Sequence, residues 1–416
     1  MRFRILLALA GFAMCGGNAQ TGLRDRYFAR YPFEKWQAAG DKAGIRWVVK
    51  VHPAALTAHQ RLAARIEVEL ESKEIAKRRG RGELVSLIQV ENPSGRRWRI
   101  HNVFDLSRIP QDAKAPGLAW VQDAFVLPGD YTVSIATCDS ATGDYSFARR
   151  VLHVLPLRGD TLTSAWTDLP EVEFVRPYDA PDSWFQPWIR GRVRMGVATT
   201  RPVHIEILMN LTPSERASGS VRAFRRNMSV LVPALKILAA LEVSKGSLDV
   251  TLVDLTRRKT WEEKDARGLD WTKMRAPLAE TQPGIIDAQS LAAKQRMAQF
   301  FRDQVLARAQ PRADRDELRV VIVLSAPAFL GRQSPLETAN LERDPNRRIF
   351  YLRYRPEPPR PDIPSYTTAP PPGMTSLPSD DLERALKPLD ARILSAASPG
   401  EFRRALSAML ADIGRM

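Results

Sequence analysis

Across residues 156–200 the hydrophobic period of this chain changes, and that change restricts the fold more than any other feature. Before it, from about residue 43 to 155, the period is two. Ala64, Ile66, Val68 and Leu70 alternate with Arg65, Glu67 and Glu69, as a half-buried strand requires. "IRWVVKV" (45–51), "LVSLIQV" (84–90) and "AWVQDAFV" (119–126) read as further strands. Pro128-Gly129 and the run "DSATGD" (139–144) supply turns on either side of the alternating Tyr131, Val133 and Ile135. Short strands punctuated by Gly, Pro and Asp predict an all-β sandwich over residues 20–155. A helix-like stretch before residue 43 has no obvious place in it.

From residue 203 strands and helices alternate. "VHIEILM" is apolar on both faces, and "LRVVIVLS" (318–325) is a near-continuous apolar run, as in a central parallel strand covered on both sides. Between residues 221 and 243, Phe224, Met228, Leu231, Leu235, Leu238 and Leu241 form a helical stripe, interrupted at Pro233, where a kink or late start is expected. "GSLDVTLVDL" reads as a strand and "TRRKTWEEK" as a turn into a polar edge strand. A long helix over 285–309, the strand "RRIFYLRYR" and a last helix carrying Phe402, Leu406, Met409, Leu410 and Ile413 complete the order. The pattern predicts a doubly wound α/β domain over residues 201–416.

The joining segment, 156–200, has prolines at 156, 170, 177, 181 and 187, which break regular elements, with Trp166, Trp184, Phe185 and Trp188 among them. Such rings either stack on sugars or are buried between two domains, and the second is the plainer expectation. Arg158-Gly159-Asp160 copies an integrin-binding tripeptide, but three residues recur by chance. Residues 356–378 contain nine prolines and predict an extended surface loop.

The first nineteen residues form a separate unit. Arg2 and Arg4 precede the apolar run from Ile5 to Met14, and small residues lead to Ala19. This is the form of a secretory signal peptide (1–19), too short to span a bilayer, with cleavage after Ala19. A lipid anchor at Cys15 would place the bulky Met14 where such signals have a small residue. The expected product is secreted or periplasmic, with no membrane span. It retains Cys138 alone, read as a small buried residue without a disulfide partner. The formal charge is +15, or +13 without Arg2 and Arg4, with the densest basic runs at 76–82 and 222–227. Outside the cytoplasm such a surplus points to acidic glycans, lipid headgroups or acidic proteins rather than to nucleic acid.

The order of elements from 203 to 416, edge strand included, resembles a von Willebrand factor type A domain. The sandwich before it is similar to an immunoglobulin-like or fibronectin-like module, since "LPGDY" has the form of a tyrosine corner. Together they resemble bacterial exported VWFA-related proteins. The resemblance implies a metal site at the carboxyl ends of the strands, read in that family as Asp-x-Ser-x-Ser, a threonine from a second loop and an aspartate after the fourth strand. This chain has Asn210-x-Thr212-x-Ser214 in the first loop. In the second loop, with Asp287-Ala288 as anchor, Pro283 takes the threonine's place, and Thr281 lies two residues away. After the fourth strand it has Ser325-Ala326-Pro327. A hard divalent cation needs oxygen ligands, normally with one or two carboxylates. None stands at the matched positions, so the site is expected to be degenerate, without metal or other cofactor.

Asn210, Thr212, Ser214, Thr281 and Ser325 are therefore expected to form a polar binding rim. The five histidines (52, 59, 101, 153 and 204) show no metal-ligand spacing, and His204 reads as structural. There is no HExxH, GxSxG, P-loop or dinucleotide fingerprint. The expected function is non-catalytic protein binding, with no catalytic residues. A cationic envelope protein binding acidic glycans is the alternative, and a hydrolase with unrecognised carboxylates a more distant one.

Overall fold

A computed structural model describes residues 26–109, 117–175, 189–212, 221–266, 269–281, 294–310, 317–330, 333–337, 344–355 and 380–416. Residues 1–19, expected to be a signal peptide, and Ser214, Trp184, Phe185, Trp188, Pro283, Asp287 and the proline-rich stretch lie outside the described residues. The chain is strand-rich, and no described helix is long and apolar enough to cross a membrane.

The first half comprises helix α1 (Phe33–Ala39), strands β1 (Lys42–Ala43), β2 (Trp47–Val51), β3 (Ala55–Leu56) and β4 (Leu62–Leu70), and helix α2 (Ser72–Arg78). Strands β5 (Glu83–Glu91), β6 (Arg97–Asp105), β7 (Leu118–Val126), β8 (Gly129–Asp139) and β9 (Tyr145–Val154) follow. They form two antiparallel sheets. One has the order β1-β9-β8-β5-β6; the other is β7-β4-β2, edged by β10 (Val172–Phe174) and with β3 also on β4. In β4 the alternation read in the sequence is the alternation of burial, with Ala64, Ile66, Val68 and Leu70 inward.

β5 is buried on both faces, which explains its unbroken apolar run. The N-terminal helical segment supplies the second cover. Phe28, Phe33 and Trp36 pack over Val85, Leu87, Ala136, Cys138 and Phe147, and Trp36 stacks on Tyr145 at 4.5 Å. Burial there pushes the Cys138 thiol up to about 12. The Tyr131 hydroxyl donates to Leu127 O at 3.0 Å and ties down the Pro128-Gly129 turn. Helix α2 has no counterpart in the sequence reading. It turns part of the basic run at 76–82 inward, where Arg78 pairs with Glu74, Asp139 and Asp144.

The joining segment is more regular than its prolines predict. β10 extends the sandwich, while β11 (Met195–Val197) pairs in parallel with β13 (Leu241–Val243) of the second half. Leu241, read into the helical stripe, thus belongs to a strand. Its spacing matches a helix, but its partner lies in the joining segment, which no local pattern can show. Trp166 is buried between the halves: its Nε1–H donates to Gln60 O at 2.8 Å, and the Arg403 guanidinium lies over its ring at 4.6 Å. Buried apolar side chains continue from the sandwich interior through Trp166, Leu169 and Val172 into the second half.

The second half contains β12 (Val203–Asn210), α3 (Val221–Leu238), β14 (Gly246–Asp254), β15 (Lys259–Glu263), α4 (Trp271–Glu280), α5 (Met297–Ala309) and β16 (Leu318–Ser325). It ends with β17 (Arg347–Tyr354), α6 (Asp381–Leu386), β18 (Arg392–Ala396) and α7 (Pro399–Ile413). The sheet order is β15-β14-β12-β16-β17-β18, parallel except for the antiparallel edge β15. Helices α3, α4 and α7 cover one face; α5 and α6 cover the other. Every residue of β12 and β16 is buried, as their unbroken apolar runs require.

Helix α3 runs through Pro233 rather than starting after it. The described part of the expected 285–309 helix is Met297–Ala309, preceded by a 3-10 turn. β18 leaves no clear signal in the sequence, because a five-residue, half-exposed edge strand carries too little alternation.

The turn into β14 depends on Gly246, whose φ of +124° is combined with backbone contact: a Cβ there would overlap Val203 O. Gly246→Ala is expected to lower stability by more than about 2 kcal/mol in urea unfolding, from backbone strain together with the clash.

Candidate functional site

β12 and β16 lie side by side at the centre of the sheet, and the chain leaves β12 for β14 on the other side. Their carboxyl ends thus flank the crevice where open α/β sheets generally bind ligands. Asn210 closes β12 and Ser325 closes β16; both are buried. The Asn210 amide donates from Nδ2 to Ser325 Oγ at 3.0 Å, and its Oδ1 accepts the Thr212 N–H at 2.9 Å. The backbone donor fixes which way the amide faces, since only the carbonyl end can accept. Thr212 Oγ1 accepts the Leu255 N–H at 2.6 Å, and Ser325 Oγ donates to Ala326 O at 2.6 Å.

These side chains join the strand ends to one another. The adjoining recess, roofed by Phe224, Asn227 and Met228 of α3, has a volume of about 10 Å³, room for one water.

Asn210, Thr212 and Ser325 lie together on the recess. Thr281 follows α4 directly, and its hydroxyl donates back to Pro277 O (3.1 Å) and Leu278 O (3.3 Å). Two described carboxylates at this end of the sheet, Asp254 and Asp380, are engaged elsewhere. Asp254 accepts from Arg257 N and Nη1. Asp380 accepts from the Ala328 and Leu382 N–H groups and from the Tyr351 hydroxyl at 2.7 Å. Burial raises the Asp380 carboxyl above its ordinary value against the pull of those three donors, and it raises the Tyr351 phenol as well.

The divalent ion that the family resemblance implies does not fit this donor set. Asn210 Oδ1 and Thr212 Oγ1 each hold a backbone N–H, and the Asp254 and Asp380 carboxylates are held by other donors.

Between the halves, His59, Arg61, Arg192 and Lys236 line a second recess, also of about 10 Å³. Arg61 is buried, pairs with Glu173 at 2.5 Å and keeps Nη2 without a partner. Burial, together with Arg192, lowers the Lys236 ammonium to about 8; burial, then the charges of Lys236 and Arg61, lowers His59 to about 3.

A third polar cluster lies at the amino end of the parallel sheet. His204 Nε2 is 3.2 Å from Glu206 Oε2 and 3.8 Å from Asp249 Oδ2. The sequence signal was present but faint. His-x-Glu on a strand puts both side chains on one face, whereas Asp249 joins them only through the pairing of β12 with β14.

No protein-family profile matches the chain, and no curated protein matches it. Among solved structures, the putative ApaA protein from Bordetella pertussis is similar at 10% identity, covering 27% of this chain and 95% of its own, with a TM-score of 0.19. A Northeast Structural Genomics Consortium target is similar at 8% identity, covering 28% of this chain and 89% of its own, with a TM-score of 0.17. At such scores neither likeness bears on fold or activity.

Proposed function

We propose that this chain is an exported, non-catalytic protein-binding protein in which an immunoglobulin-like sandwich carries a von Willebrand factor type A-like domain that works without its metal. The observation that carries this reading is the hydrogen-bond circuit of Asn210, Thr212, Ser325 and Leu255, which fills with protein donors the oxygens a cation would use. The sheet order with its antiparallel edge and the Tyr131–Leu127 bond support the two domain types. Recognition then belongs to the loops around the α3 recess. The test is capture of a partner from envelope extract by the mature chain. Asn227→Arg or Ala326→Arg, which fill the recess mouth, should abolish capture, and adding or omitting millimolar magnesium should leave it unchanged. Capture that requires magnesium would overturn the reading.

The cationic recess of Arg61, Arg192 and Lys236 favours a second reading, binding of an acidic glycan. Retention on a sulfated polysaccharide that survives high salt would support it, because exposed charges alone are screened over about 8 Å at physiological ionic strength.

A further inference from the structure

We propose that His204, Glu206 and Asp249 form a binding site for a divalent transition-metal ion, with zinc the best match, at the amino end of the parallel sheet. The strand pleat turns His204 and Glu206 to one face of β12, and the parallel register sets Asp249 opposite Glu206 and Ser247 opposite His204. The three ligand atoms lie within 4.8 Å of one another. Zinc bonds of about 2.0–2.1 Å place adjacent tetrahedral ligands roughly 3.3 Å apart. The 3.2 Å and 3.8 Å separations bracket that edge.

Each ligand is also held by its other side. His204 Nδ1 is 2.6 Å from Ser247 Oγ. Glu206 Oε1 accepts from Arg308 Nε at 2.9 Å and from Thr251 Oγ1 at 3.2 Å. Asp249 Oδ1 accepts the Asp265 N–H at 2.8 Å. Outer partners of this kind orient metal ligands and leave one lone pair of each facing inward. In the neutral imidazole whose Nδ1 donates to Ser247, Nε2 is an acceptor facing two carboxylate oxygens, and three converging acceptors require a cation. Charge permits one. Glu206, Asp249 and Glu262 are carboxylates, Arg308 lies against Glu206 and Glu262, and Arg319 is the neighbour of His204 in β16. The competing arrangement places a proton on Nε2, either in the neutral ring with Ser247 donating to Nδ1 or in the imidazolium with Nδ1 donating to Ser247.

Calorimetric titration of the full mature chain with zinc, after chelation and dialysis, separates the two. One ion per chain is expected, with affinity reduced at least tenfold by Asp249→Asn and by His204→Gln, and unchanged by His153→Gln on the exposed surface. Asp249 is partly exposed, so its variant keeps the fold even if His204→Gln does not. Cobalt in place of zinc should give the visible absorption of a four-coordinate site, lost in Asp249→Asn. No binding to the parent chain, or binding indifferent to Asp249→Asn, would overturn the proposal.

Discussion

Arg403→Ala is expected to cost about 3–5 kcal/mol in urea unfolding, because it leaves a buried carboxylate without its counter-charge. Arg403, on α7, donates from Nε and Nη2 to the two oxygens of Asp160, both at 2.7 Å, and from Nη2 to Leu162 O. Both side chains are about 95% buried, at 5% and 4% exposure, so little solvent screens the pair. The guanidinium also lies over Trp166, so alanine removes a stacking contact. A buried pair contributes little net stability relative to an apolar replacement. Asp160→Ala combined with Arg403→Ala should therefore be less destabilised than the sum of the single variants. An additive result would show that the pair is not coupled.

The same contact predicts an acid response. Burial pushes the Asp160 carboxyl up, but the hydrogen bonds from Arg403 and the Leu162 N–H, with the Arg403 charge, hold it below its ordinary value. The folded value is thus lower than the unfolded one, about 3.9. The stabilisation is complete above that pH and is lost as pH falls through the depressed value. Asp160→Asn should remove that part of the acid transition. The pairing also takes both carboxylate oxygens of the Arg158-Gly159-Asp160 tripeptide out of reach of an integrin.

Asn210→Asp is the second large effect, expected to cost several kcal/mol at neutral pH, since it charges a position that is 2% exposed. The new carboxylate would keep the Thr212 N–H as donor. It would lose the amide that reaches Ser325, whose hydroxyl would have to turn away from Ala326 O to replace it. Desolvation would raise its folded pKa above the unfolded value. The variant should therefore approach the parent's stability below about pH 4, where both states are protonated, and fall away as pH rises. Millimolar magnesium should not rescue it, because Thr212 Oγ1 still holds the Leu255 N–H. A magnesium-dependent rise in its unfolding midpoint would show that the strand ends can reopen around an ion.

By itself the sequence determined the period-two strands of the first half, the two-sided burial of β12 and β16, the polar edge strand β15 and the types of side chain at the strand ends. These follow from local alternation and from one-residue chemistry, which need no partner to be read. It did not contain α1's place on the sandwich, β10 and β11, β18, or the inward turn of Arg78. Each of these depends on a partner distant in the chain, and so does the meeting of Asp249 with His204. Only the tertiary structure decided that Asn210 bonds to Ser325. A hydrogen bond is chosen by distance and direction between folded elements, and the sequence specifies only which atoms are able to make it.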